Sequence, residues 1–177
     1  MSDPSDLLDE LDSAQDAFGH AHGRPRFEPG LNADADASDG EVQIQKACRL
    51  LELTHRIDEI GEYYGAILEH SFIVIELTFQ GYLLEMTATD PAELRDHSSP
   101  YEFAKGQVPL EYDTIETLKA LYDARRTRHY YGTTVTTETQ AKTMRAVAAA
   151  VHEHVVTFDH DLERFCRCSG WSRTDMM

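Results

Sequence analysis

Residues 63–86, YYGAILEHSFIVIELTFQGYLLEM, are apolar on nearly every side when wound at the helical period. A helix of that kind is stable in water only if other elements cover it, so the rest of the chain must supply apolar faces. It does so at the same period. Val42, Ala47, Leu50, Leu51, Ile57 and Ile60 repeat at helical spacing before it. After it, Ala148, Val151, Val155, Phe158, Leu162 and Phe165 step by threes and fours along one long last helix, ETQAKTMRAVAAAVHEHVVTFDHDLERFC. Thr137 with Gln140 forms a capping box that opens that helix, and Asp113 with Glu116 opens another, running from Thr114 to Tyr130 and ending at Gly132. A short helix in PYEFAKG closes at Gly106, and TATDPAELRDHSSP is a connector. Strand-like alternation is found nowhere. The fold class is all-α, an up-and-down bundle of four to five helices. One narrow face of the central run carries Glu62, Glu69, Glu76, Gln80 and Thr87, either a solvated stripe or a row in which one acid meets a cation.

The charge is uneven. The chain has 32 acidic and 16 basic side chains, net -16, with twelve Arg against four Lys. Eleven of the acids lie within the first 41 residues, against Arg24 and Arg26. Residues 1–40 therefore read as an acidic, solvating tail, 41–168 as the helical bundle and 169–177 as a C-terminal tail. An acidic, Arg-rich surface suits concentrated salt, where screening removes self-repulsion, so the cytoplasm of a halophile is the expected setting. The longest apolar runs, FIVI and AVAAAV, are far short of a membrane span, and no membrane partner is expected.

Against that background ARRTRHYYG, residues 124–132, concentrates three arginines and a histidine in five positions. At about 100° per residue, Arg125 and His129 fall inside the apolar stripe of Ile115, Leu118, Leu121 and Tyr122, while Arg126 and Arg128 flank it. A helix C-terminus favours cations, and that accounts for the flanking pair. Arg125 and His129 instead need a partner on the buried side: a carboxylate, an interface or a bound anion. Glu76 is the candidate internal partner. A guanidinium holding phosphate oxygens beside an imidazole that moves a proton is also chemistry suited to RNA cleavage without a metal.

SFIVIELTFQGYLLEM (71–86) and DHSSPYEFAKGQVPLEYDTIETLKALYDARRTRHYYG (96–132) resemble the HEPN superfamily, small all-helical dimers that include the HepT toxins. The shared order is an apolar helix with an internal acid, a His-led connector, a short helix ending in Gly, and a helix closing on an Arg-rich motif that ends in Tyr. The resemblance spans about Glu41 to Phe158 and implies a homodimer. In active members an Arg and, some residues on, a His cut RNA without metal across the dimer cleft. Carried over, His129 matches the family's His and Arg125, or else Arg126, its Arg, and Tyr131 is the residue that a nucleotidyltransferase antitoxin would adenylylate, with Tyr130 the other choice; Arg125 and His129 are taken as the catalytic pair, and Arg126 and Arg128 beside them as phosphate contacts. Arg125 precedes His129 by one helical turn, a shorter interval than the family's.

Two other readings stand beside the ribonuclease. One is a catalytically silent dimerisation module with Arg125 and His129 in an interface ion-pair network; the other is a helical partner protein whose acidic tail mimics nucleic acid. No cofactor is expected. Cys48, Cys166 and Cys168 suggest no disulfide framework. Cys166-x-Cys168, with His152, His154 and His160 upstream, reads as surface residues of the last helix and not as a metal site, because ligands one residue apart on a helix end diverge. His20-x-His22 is a weak pair, and Trp171 is expected to pack back on the bundle.

Overall fold

The computed structural model describes residues 10–16, 37–131 and 135–166, with the backbone alone for 126–131. The chain is all-helical, with no strand among the described residues. Residues 10–16 form α1, a short helix exposed along its length within the acidic segment. The others are α2 (Asp39–Ile60), α3 (Tyr64–Met86), a 3-10 turn (Pro91–Leu94), α4 (Ser99–Ala104), α5 (Tyr112–Tyr131), α6 (Glu138–Val156) and α7 (His160–Phe165).

α3 is the axis of the molecule. It packs along α2 on one side and α6 on another, and α2 also meets α6 and α7. Ile67, Val74, Ile75, Phe79 and Leu83 are fully buried, as the all-round apolar sequence demands. The α2–α3 approach is close because both helices present glycine there: a Cβ on Gly81 would stand 2.6 Å from Ile44 and 3.1 Å from the Gly40 carbonyl. The chain reverses between the two helices at Gly61 and Glu62, which both take positive φ, 78° and 70°.

Helix ends follow local chemistry. Ser38 caps α2 by accepting from the Glu41 amide at 3.0 Å, and its hydroxyl donates to Glu85 on α3. The Thr137–Gln140 capping box is present in both directions, at 3.2 and 3.0 Å. The expected box at Asp113 is not the start of α5. That helix begins at Tyr112, with Asp113 inside its first turn. A second capping box, Asp90 with Glu93, orders the connector as a 3-10 turn.

The long last helix is two helices. α6 stops at Val156, and Asp159 starts α7 by accepting from the Asp161 and Leu162 amides at 2.8 and 3.4 Å. An acceptor side chain in mid-pattern thus restarts the helix and re-aims the seam. Ala148, Val151, Val155 and Leu162 remain buried and Phe165 packs on the core, but Phe158 turns to solvent at 62% exposure. His152 is likewise not a surface residue. It is buried at 2% exposure between α2, α3 and α7, whereas His154 and His160 are exposed.

α5 stands off from α3 on aromatic side chains. Phe72 and Tyr122 meet edge to face at 5.8 Å, Tyr101 stacks on Tyr122 at 5.4 Å, and Phe79 meets Tyr101 edge to face at 5.8 Å. That layer brings the polar stripe of α3 opposite α4, α5 and the connector.

Candidate functional site

The stripe is solvated only in part: Glu62, ahead of α3, is exposed, and the four residues after it are each engaged. Gln80 donates to the Leu94 carbonyl at 3.1 Å, and Thr87 bonds Thr89 at 2.6 Å. Glu76 is buried at 4% exposure and accepts from His97 Nδ1 at 2.8 Å. Burial drives the Glu76 carboxyl above its ordinary range; the hydrogen bond and charge of His97 draw it back, and neighbouring Asp96 adds to the rise. Glu69, one heptad earlier on the same face, pairs with Arg125.

Arg125 continues the buried stripe of α5 beyond Ile115, Leu118 and Tyr122, with its side chain only 9% exposed. Its guanidinium lies 5.3 Å from the centre of the Phe72 ring, so it is held by a carboxylate and by an aromatic face together. Glu76, the partner anticipated for it, is instead engaged with His97. Both acids face the same side of α3, and the axial position of α5 gives Arg125 to the earlier one.

Beside Arg125 lies a groove of about 360 Å³. Leu68 and Phe72 of α3, Leu121 and Arg125 of α5 and Met144 and Val147 of α6 form most of its wall. Leu121 is 46% exposed there, a large apolar side chain left at the surface of an otherwise well-covered stripe. Arg126, Arg128, His129 and Tyr131 belong to the continuous α5 helix, but their side chains lie outside the described residues, as do Cys168, Trp171, His20 and His22.

Sequence reasoning missed Glu69 as the acid that meets the cluster, though it was on the right stripe. It missed His97 as the partner of Glu76, and it missed Cys48, which comes within 3.2 Å of His152 across 104 residues of chain. No local spacing signals such a pair.

A family model described as a domain of unknown function (DUF8154) matches residues 2–168, and the chain belongs to that family. No curated protein and no solved structure matches it.

Proposed function

We propose that this member of the DUF8154 family is a catalytically silent helical interaction module: an up-and-down bundle that pairs as a homodimer and holds Arg125 and His129 in an interface ion-pair network. It works in the cytoplasm of a salt-rich cell. The observation that carries this reading is the capping of Arg125 by Glu69 over the Phe72 ring. A phosphate would have to displace a carboxylate already in place on a guanidinium that is largely withdrawn from water. The groove next to it is walled mainly by apolar side chains, with Leu121 at its edge, and a second copy of the helix pair gives that surface a cover.

The ribonuclease reading, with Arg125 and His129 cutting RNA and Tyr131 open to an antitoxin nucleotidyltransferase, requires Glu69 to release Arg125. The purified chain, incubated with RNA in high salt and chelator beside His129→Ala, decides between them. The module reading expects intact RNA with both proteins, and a dimer by light scattering that Leu121→Asp converts to monomer. RNA cut by the native chain and spared by His129→Ala would overturn it.

A further inference from the structure

Cys48 on α2, His152 on α6 and Cys166 at the end of α7 bring two sulfurs and an imidazole nitrogen within 4.8 Å of one another. His152 Nε2 lies 3.2 Å from Cys48 Sγ and 3.2 Å from Cys166 Sγ. Cys48 and His152 are buried, Cys166 is half-buried, and the two cysteines are not joined as a disulfide.

Thr78 of α3 fixes the imidazole. Its hydroxyl stands 2.7 Å from the Val74 carbonyl, which can only accept, and 2.8 Å from His152 Nδ1. The single hydroxyl proton goes to the carbonyl, so the hydroxyl oxygen accepts from Nδ1–H. In the neutral ring that tautomer leaves Nε2 as the acceptor, with its lone pair turned toward both sulfurs. A metal-bound histidine is held in this way, one nitrogen donating to a fixed oxygen and the other left bare. A cation that replaces the thiol protons satisfies all three atoms at once.

We propose that Cys48, His152 and Cys166 bind a thiophilic cation of the zinc class, with solvent completing the shell, and that the ion clasps α7 to α2 and α6. Zinc bond lengths of about 2.3 Å to sulfur and about 2.0 Å to nitrogen imply tetrahedral edges of about 3.5 Å for N···S and about 3.8 Å for S···S. The two N···S separations of 3.2 Å fall a few tenths of an ångström short of the first edge, and the two sulfurs lie within 4.8 Å of each other, a limit wider than the second, so closing on an ion takes small side-chain shifts. Two sulfurs and a nitrogen select zinc, cobalt or cadmium over magnesium or calcium. Each ion forms two metal–sulfur bonds and one metal–nitrogen bond, and the two thiols release their protons to solvent. The site shares no residue with the Arg125 groove, so it stands whether or not RNA is cut.

The full chain, treated with chelator and kept reduced, is titrated with Co²⁺ alone and with Zn²⁺ alone. The expected result is one ion per chain, thiolate-to-cobalt charge-transfer absorption, uptake of base that reports two protons, and a higher melting temperature. Cys166→Ser lies at the end of a short helix and is expected to keep the far-ultraviolet helical signal while losing the charge-transfer band. Thr78→Val is expected to keep the band and weaken affinity by about 10–100-fold. A reduced native chain that takes up no ion, or a cobalt spectrum unchanged in Cys166→Ser, would sink the proposal.

Discussion

Tyr101 is fully buried in the aromatic layer, and its hydroxyl has no hydrogen-bond partner among the described residues. Its ring is well used, stacked on Tyr122 and against Phe79, so the cost falls on the oxygen alone. An unsatisfied buried hydroxyl costs about 1–3 kcal/mol, and Tyr101→Phe should therefore leave stability unchanged or raise it by about 1 kcal/mol in chemical denaturation. A loss of more than that would mean the oxygen has a partner in solution. Glu76 makes a prediction with pH. Its folded carboxyl is raised by burial, so the folded chain keeps that proton to higher pH than the unfolded chain does. Glu76 therefore favours folding below the ordinary carboxyl range, and the contribution is lost as pH rises through the folded value. Glu76→Gln does not titrate, so its melting temperature should gain on the native chain as pH rises from the ordinary carboxyl range through the higher folded value. A difference that stays flat across that range would contradict the burial argument. At this scale the buried aspect of Arg125 was legible, because angle around a helix is fixed by residue number. The identity of its acid was not. Glu69 and Glu76 share an angle and differ only in height, and periodicity carries no information about the axial offset between two helices.

Among the elements, the α2–α3 crossing depends most on one residue type. Gly81 leaves room for Ile44 and for the Gly40 carbonyl, and Ile44 is itself fully buried with no space to retreat. Alanine would gain about 1 kcal/mol in helix propensity, but overpacking at such a contact costs about 1–3 kcal/mol. Gly81→Ala is thus expected to lower stability by about 1–2 kcal/mol in urea titration, and a more stable variant would mean the helices can part freely. The existence and type of α2, α3, α5 and α6 could be read from the sequence, as could the Thr137–Gln140 start, because these rest on apolar period and local hydrogen bonds. The break between α6 and α7 was missed because the apolar steps continue through Phe158 as though the helix did. Asp159 was the available signal, an N-cap residue followed by Asp161 and Glu163 in a first turn. The same lesson holds for α3. By length and composition it would cross a bilayer, yet two thirds of that stretch is buried within the protein, where α2 and α6 serve as its solvent.

Over the whole molecule, 32 acids against 16 basic side chains leave a net charge of -16 on 177 residues. Among the described residues the cations are largely committed: Arg125 to Glu69, Arg145 to Asp58, Lys105 to Glu102 and Glu116, Lys119 to Asp123. The excess acid is thus mutual repulsion that folding concentrates, and ions relieve it by shortening its range, from about 10 Å at 0.1 M to about 3 Å at 1 M. The melting temperature should accordingly climb with added KCl, most steeply over that interval. Salt that merely strengthens apolar burial acts differently, since its effect keeps growing past the point where screening is complete. The two are separated by charge. Changing five or six exposed acids of α1, α2 and α7, such as Glu10, Asp12, Glu59 and Glu163, to their amides should raise the melting temperature at about 0.1 M and flatten the climb to about 1 M, leaving the high-salt values together. An unchanged slope in that variant would assign the salt response to the core and leave the acidic surface without a stabilising role for salt to play.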